Sequence, residues 1–159
     1  MENPTRTPPE TPAAGWERTP SWLLTQTAHH AHRLVADGFS SVHARGYHFR
    51  LLATLEESGP ASQAELGRRS GIHVSDMVAT INELADDALV ERTPDPTDRR
   101  RNIISLTAQG RRRLRELEER LAASQDALLA PLTPEERAHL TDLLTTLLEH
   151  HEQRTRPSP

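Results

Sequence analysis

The stretch that decides the fold is "DALVERTPDPTDRRRNIISLTAQGRRRL", which runs from Asp87 to Leu114. It begins with a short segment typical of a strand, residues 89–93, and then places two prolines and two aspartates before three consecutive arginines. A second segment of this kind, residues 102–106, follows directly. Two strand-like segments separated by a loop rich in proline and aspartate predict a β-hairpin, here with an arginine-rich tip.

The tip is predicted to be a stiff, positively charged loop. Pro94 and Pro96 fix the backbone φ angle on either side of Asp95. Asp98 directly precedes the arginines, and we expect it to orient one guanidinium through a fork-like pair. An arginine inserted into a DNA minor groove responds to groove width and potential, so we predict that Arg99 or Arg100 inserts while its neighbours touch phosphate. The alternative is a solvated run of charge.

Charge is distributed unevenly along the chain. The 159 residues carry a formal net charge of −4, and all 19 basic residues are arginine. Residues 92–115 nevertheless hold eight arginines against two aspartates, a local net charge of +6. The acidic total argues against a protein that coats polyanions indiscriminately, whereas the hairpin region favours a localised contact with DNA.

Composition excludes several classes of protein. The chain has no cysteine, which excludes disulfides, thiolate metal sites and thiol redox sensing. No apolar run approaches the roughly 18 residues that a membrane helix requires, and the N-terminus has no apolar signal core. We therefore expect a cytoplasmic protein with no membrane partner.

The segment before the hairpin predicts two short helices joined by a glycine turn. "SQAE", residues 62–65, is a capping box in which Ser62 caps the helix and Glu65 reaches back. The first helix should end near Ser70, Gly71 should break it, and the second should span residues 74–87. Its expected inward-facing residues are Val78, Ile81 and Leu84. This is a helix-turn-helix, and a hairpin placed directly after it makes a winged helix.

Two further helices are predicted before this unit. "TPSW" places Thr19 as a cap and Pro20 at the first helical position, and the helix should stop at Gly38. Ser40 or Ser41 can cap a second helix that ends near residue 58. The expected apolar positions are Leu24, Ala28, Ala31 and Val35 in the first helix and Tyr47, Leu51, Leu52 and Leu55 in the second.

Two more helices are predicted after the hairpin. Thr107 can cap a long helix to about residue 130, and "TPEE", residues 133–136, is a second capping box. The apolar lines are Leu114, Leu117, Leu121 and Leu128, then Leu140, Leu143, Leu144, Leu147 and Leu148. The first and last helices of the chain are not needed to complete a winged helix. Their apolar faces must therefore bury against something, which two copies packing together would provide.

The expected fold is mainly α with a small β-hairpin wing. The organisation we predict is a disordered arm at 1–18, dimerisation helices at 19–58, a winged helix-turn-helix at 59–110, C-terminal dimerisation helices at 111–153 and a loose tail at 154–159.

The order of elements from about residue 22 to 150 resembles the MarR family of bacterial transcription regulators, most specifically in the stretch quoted at the outset. The resemblance implies a six-helix protomer that forms an obligate homodimer with first and last helices interleaved. It also implies that the helix from Val74 enters the DNA major groove and that the wing reaches the minor groove. A pseudo-palindromic operator is expected. The resemblance further implies a cleft between the dimer helices and the DNA-binding lobe, often for small aromatic acids.

The recognition helix departs from the family pattern. No Arg or Lys occurs between Gly71 and Leu84, and Ala79 stands where a basic residue is common. This helix therefore cannot make the usual bidentate contact to guanine. We predict that the wing supplies a large share of the affinity for DNA instead. Asp76 could support the helix start, contact a ligand or accept a hydrogen bond from a base. The predicted DNA-binding residues are Gln63, Arg68, Arg69, Val74, Ser75, Asp76, Ala79, Thr80, Asn82, Asp98, Arg99, Arg100 and Arg101.

Candidates for an effector site lie on the first two helices. They are Trp22, His29, His30, Arg33, His43 and His48, whose imidazoles, guanidinium and indole suit an aromatic carboxylate or phenolate. The alternative is that they only pack and solvate a dimer interface. His29 and His32 are three residues apart, but zinc needs three or four ligands, and no second well-spaced pair accompanies them, so we predict neither metal nor cofactor.

The sequence therefore predicts a double-stranded DNA-binding transcription regulator, in the form of a repressor released by a small ligand. The alternative function is a winged helix used as a dimerisation or protein-interaction module without specific DNA binding. An enzyme is not predicted, because the chain contains no nucleophile elbow, phosphate loop or paired acids.

Overall fold

The fold consists of six α-helices and one small sheet in the computed structural model, which describes residues 15–155. A 3₁₀ helix, Gly15–Arg18, precedes α1 (Pro20–Ser40) and α2 (Gly46–Ser58). The strand β1 (Ala61–Ser62) leads into α3 (Gln63–Ser70) and α4 (Val74–Asp86). The hairpin β2 (Val90–Pro94) and β3 (Asn102–Leu106) is followed by α5 (Ala108–Leu128) and α6 (Pro134–Thr155). The predicted fold class, mainly α with a wing, is confirmed.

The sheet has one strand more than the predicted hairpin. The order is β1–β3–β2, with both pairs antiparallel. Ala61 pairs with Ile104 on one side of β3, and Arg92 pairs with Ile104 on the other. A strand of two residues gives no periodic signal in a sequence, so only the tertiary pairing reveals it.

The core lies where α2, α3, α4, α5 and the sheet meet. Its fully buried residues include Leu51, Leu66, Ile81, Ile104 and Leu117, one from each of these elements. Of the residues predicted to face the core, Tyr47 and Val78 are exposed instead. The buried positions of α4 are Met77, Thr80, Ile81 and Leu84. The helix is thus rotated relative to the prediction, and Val78 lies on its outer surface.

Several helix starts agree with the sequence because they depend on local chemistry. The Ser62 hydroxyl accepts from the Glu65 amide at 3.4 Å, and the Thr107 hydroxyl accepts from the Gly110 amide at 2.9 Å. Thr133 and Glu136 form the complete reciprocal box, at 2.9 and 3.3 Å. Glu65 does not reach back to Ser62 as predicted, since its carboxylate pairs with Arg69 one turn later.

The boundaries of the first two helices differ from the prediction. α1 continues through Gly38, and α2 begins only at Gly46 instead of near Ser40 or Ser41. A Cβ atom at Gly38 would stand 2.6 Å from the Ser124 hydroxyl, so this glycine is a contact point between helices and not a helix end.

The chain ends also differ where they are described. Gly15–Arg18 forms a 3₁₀ helix within the predicted arm, and Trp16 meets Trp22 edge to face with ring centroids 5.8 Å apart. α6 extends through Arg154 into the predicted tail. The remainder of the arm and tail, residues 1–14 and 156–159, lies outside the described residues. None of the helices described is both long and apolar enough to cross a membrane.

Candidate nucleic-acid interface

The wing tip is organised around a buried carboxylate. Asp95 accepts hydrogen bonds from the Thr97 amide at 2.8 Å and the Thr97 hydroxyl at 2.7 Å. It also accepts from the Arg101 guanidinium at 3.2 Å, while its own amide donates to the Arg101 carbonyl at 2.9 Å. The two Thr97 donors, and after them Arg101, lower the pKa of Asp95 from 3.8 to about 2. The loop is therefore closed by an ionised side chain at neutral pH.

Asp98 does not orient a guanidinium, which corrects the sequence prediction. Its carboxylate accepts from the Arg100 amide at 3.1 Å, and its carbonyl accepts from the Arg101 amide at 2.9 Å. This is a turn contact of the kind aspartate makes with the backbone two residues on. Both aspartates precede the arginines in sequence, and only the closure of the loop shows that Asp95 faces Arg101.

The remaining two arginines of the tip project outward. Arg99 and Arg100 are exposed, and neither guanidinium forms an ion pair with any residue between 15 and 155. Arg101, by contrast, is anchored at the base of the loop by Asp95. The tip thus presents two free guanidiniums on a braced loop, and a phosphate-lined groove would match this arrangement.

A cleft of about 810 Å³ separates this wing from the helix-turn-helix. Ile72, Met77 and Ile104 contribute buried apolar side chains to its floor. The predicted DNA-binding residues that line it are Gln63, Arg68, Val74, Asn82, Arg100 and Arg101. The structure therefore brings six of the thirteen predicted residues to one concave surface between α3, α4 and the wing.

The outer face of α4 is mostly small or apolar. Val74 is 70% exposed and Val78 is 45% exposed, and Ser75, Ala79 and Asn82 are exposed beside them. Thr80 does not belong to this face, although it was predicted to contact DNA. It is only 1% exposed, and its hydroxyl donates to the Asp76 carbonyl at 2.7 Å. Thr80 is a core residue because it lies on the buried face of α4 with Met77, Ile81 and Leu84.

The start of α4 is capped by a histidine. The His73 Nδ1 atom accepts from the Ser75 amide at 3.4 Å and lies 2.9 Å from the Ser75 hydroxyl. Asp76, whose role the sequence left open, lies in the first helical turn and is half-buried. A negative charge is favourable there, next to the free amides of the helix start.

Two arginines have different roles in the structure from those predicted from the sequence. Arg69, predicted to hold phosphate, pairs with Glu65 and donates to the Ser58 carbonyl at 3.5 Å. Arg92 was not predicted as a site residue, yet its guanidinium donates to the Asn82 side-chain oxygen and lines the cleft. The sequence shows an arginine in a strand, but only the packing of β2 beside α4 shows which surface it joins.

The effector candidates do not gather in this cleft. Trp22 packs on Trp16, His29 bonds the Thr25 carbonyl at 2.8 Å, and His30 lies 2.9 Å from Arg33. His43 lies in the exposed turn between α1 and α2. These contacts are local to α1 and the turn after it, so the effector site stays a prediction. Across residues 15–155, no three His, Asp or Glu side chains form a group suited to a metal ion.

His48 belongs to a different cluster. Its Nε2 atom lies 2.7 Å from Glu83 of α4, and its Nδ1 atom accepts from the Arg45 amide at 3.3 Å. The Arg45 guanidinium also pairs with Glu83. The hydrogen bonds from His48 and Arg45 hold the pKa of Glu83 below its ordinary value of 4.5. This cluster ties the start of α2 to α4.

The fold and the cationic concave surface define a winged helix-turn-helix protein. A family model described as "MarR family" matches residues 42–101. The resemblance to the MarR family predicted from the sequence is thereby confirmed. The proteins matched are transcriptional regulators, which agrees with the expectation that the chain is not an enzyme.

Individual relatives agree with this family. The transcriptional repressor NicR of Pseudomonas putida is 37% identical over 62 residues, which are 39% of this chain and 39% of NicR. Four curated relatives that the chain matches, NicR among them, are covered over 39–60% of their length.

Solved structures resemble the chain over a greater length. PcaV of Streptomyces coelicolor, solved with its natural ligand, is 27% identical with a TM-score of 0.69, covering 86% of this chain and 96% of PcaV. A mutant form of MarR from E. coli, solved with operator DNA, is 22% identical with a TM-score of 0.68, covering 80% of this chain and 92% of that protein. The latter likeness is one of fold.

Proposed function

We propose that the chain is a transcription regulator that binds double-stranded DNA through the wing and the helix-turn-helix. The observation that carries the proposal is the wing tip, where a buried ionised Asp95 braces the loop and anchors Arg101. Arg99 and Arg100 are left projecting. A rigid loop lowers the entropy lost on binding, and two unneutralised guanidiniums suit the narrow, electronegative minor groove.

The other contacts follow from the same surface. Gln63, Arg68 and the exposed residues Ser75 and Ala79 would lie against the major groove and its phosphates. Asp98 would act through the turn that presents Arg100. The structure of E. coli MarR with operator DNA supports this placement as a likeness of fold.

The test begins with capture of genomic DNA fragments by the purified full chain. A fragment so recovered is then used in gel-shift titrations with an Arg99→Ala/Arg100→Ala variant. We expect affinity to fall at least tenfold, and the slope of log K against log salt to become shallower by about 1 to 2, since each lost phosphate-type contact releases about one counterion fewer. The matched control is Arg112→Ala/Arg120→Ala, which removes two exposed arginines from α5.

Unchanged affinity and slope in the wing variant would contradict the proposed role of the tip. Absence of any enriched fragment with the wild-type chain would contradict DNA binding itself. It would favour the other candidate, a winged-helix interaction module, which the lack of basic residues in α4 supports.

We further propose that the regulator is a homodimeric, cytoplasmic repressor that recognises a pseudo-palindromic operator and is released by a small aromatic acid. NicR is by name a repressor, and PcaV binds a natural ligand. The candidate effector residues remain Trp22, His29, His30, Arg33, His43 and His48. Release requires that the ligand bind the DNA-free form more tightly. Titrating benzoate-type acids against the protein–DNA complex tests this, and no release by any of them would contradict it.

A further inference from the structure

The recognition helix has an exposed face that contains no cation of its own. From Gly71 to Leu84 the sequence holds no Arg or Lys. The exposed residues of α4 whose side chains can hydrogen-bond are Ser75, Asn82 and Asp86, and none of them is a cation. A helix of this kind, taken alone, cannot make the bidentate cationic contact to guanine in the major groove.

β2 brings a cation to this face from outside the helix. The Arg92 guanidinium donates to the side-chain oxygen of Asn82, which lies in the third turn of α4. Both residues are exposed and both line the cleft between α4 and the wing. The hydrogen bond therefore places a guanidinium beside the recognition surface.

The partner of Arg92 orients it without neutralising it. Arg69 is paired with Glu65 and Arg101 with Asp95, so carboxylates offset the charge of both. Asn82 is neutral, and Arg92 keeps its full charge and its remaining N–H donors. A guanidinium that is held in one direction and keeps free N–H groups is well placed to donate to an acceptor at a fixed position.

The pair presents mostly donors. Asparagine recognises adenine by donating to one atom and accepting from another, and Arg92 occupies one of the two acceptor positions on the Asn82 oxygen. The donors that remain are the Asn82 amide N–H groups and the other N–H groups of the Arg92 guanidinium, and they outnumber the one acceptor position left on Asn82. Guanine offers two acceptors on its major-groove edge, N7 and O6, whereas adenine offers one acceptor and one donor.

We propose that Arg92, positioned by Asn82, is the residue through which this protein selects a guanine in each half-site of its operator. The inference rests on the proposed DNA binding and assigns the base contact that α4 itself lacks. In this arrangement Arg92 of β2 selects the base, and the wing tip supplies affinity for DNA.

The experiment is selection of bound sequences from a random double-stranded pool by the full chain, followed by titrations with the recovered operator and single-base variants. For the wild type we expect one position per half-site with a strong preference for G. Arg92→Ala should lower that preference by about 5- to 150-fold, the range of one bidentate base contact, with other positions and the salt slope unchanged. Arg92→Lys keeps the charge but lacks the fork, so it should retain affinity and lose most of the preference.

Asn82→Ala tests the positioning role. It should weaken the same preference by a smaller factor, and the Arg92→Ala/Asn82→Ala double variant should be no worse than Arg92→Ala alone. The matched control is Arg68→Ala in the same cleft. As a phosphate contact it should weaken all sequences alike and reduce the salt slope by about 1.

Two results overturn the inference while leaving DNA binding intact. One is an Arg92→Ala variant that selects the same motif as the wild type. The other is an Arg92→Ala variant that weakens every sequence equally with a shallower salt slope, which would make Arg92 a phosphate contact. Failure of the wild-type chain to enrich any sequence would overturn the proposed function and this inference together.

Discussion

Single side chains decide how the wing is built. Asp95 collects three donors from Thr97 and Arg101 inside a loop of few residues, and its ionised state holds the tip closed. The arginines that follow this anchor differ in consequence, because Arg101 is bound by Asp95 whereas Arg99 and Arg100 project. Three identical residues in a row are thus divided into one that is held by an ion pair and two that are exposed.

The Thr97 hydroxyl is the largest cause of the low pKa of Asp95, so its removal has a measurable effect. We predict that Thr97→Val raises the pKa of Asp95 from about 2 towards 3.8. NMR titration of the Asp95 carboxyl measures this, with Thr93→Val in exposed β2 as control. An unchanged Asp95 midpoint would contradict the prediction.

The same shift sets the pH range in which Asp95 stabilises the protein. Its pKa is lower in the folded state than the ordinary 3.8, so its contribution is complete above about 3.8 and is lost as the pH falls through about 2. In Thr97→Val this loss should begin at higher pH.

At the level of elements, the junction between the hairpin and α5 holds the wing to the helical body. The Thr107 hydroxyl caps α5 through Gly110 and also bonds the carbonyls of Ala88 at 2.8 Å and Leu89 at 3.1 Å. The first turn of α5 therefore lies directly on the start of β2. Such close approach requires a residue without a side chain at position 110.

We predict that Gly110→Ala strongly destabilises the protein. The added Cβ would stand 2.1 Å from the Leu89 carbonyl oxygen and 2.6 Å from a Leu106 methyl, and backbone atoms cannot easily yield. The expected loss is about 2 to 3 kcal/mol in the free energy of unfolding, measured by urea denaturation. Gly46→Ala, in α2 with open space around it, is the matched control and should be neutral or slightly stabilising. Equal free energies of unfolding for the two variants would contradict this prediction, because they would show that the junction has room for a Cβ atom at position 110.

For the molecule as a whole, α1 and α6 present apolar surface that no part of residues 15–155 covers. α6 contributes no residue to the core, and Leu148 is 60% exposed with Leu143, Leu144 and Leu147 also exposed. On α1, Leu23 and Leu24 are exposed in the same way. Apolar surface of this extent marks an interaction site, and a second copy of the chain would cover it.

We predict a dimer in solution that depends on α6. Light scattering at micromolar concentration should give twice the 17.8 kDa of one chain. Leu144→Glu/Leu148→Glu should shift the mass towards the monomer, because burying two carboxylates in an apolar interface is costly. Thr146→Glu, on the opposite face of the helix, should remain dimeric. A wild-type monomer, or a dimer unaffected by the leucine changes, would refute the prediction.

What the sequence determined by itself was the set of features that depend on neighbours along the chain. The caps at Ser62, Thr107 and Thr133, the break at Gly71 and the hairpin with its arginine tip could all be predicted, because hydrogen bonds span only a few residues there. The resemblance to the MarR family rests on the order of these same features.

Only the tertiary structure decided features that depend on residues distant in sequence. It carries α1 through Gly38 against Ser124 of α5, turns Thr80 into the core and directs Arg92 of β2 onto Asn82 of α4. It also shows that Asp95, and not Asp98, holds an arginine. The physical reason is that the residues packed against a helix, a strand or a loop decide which of its side chains face inward. Those residues are distant in sequence, and no periodic pattern in the chain identifies them.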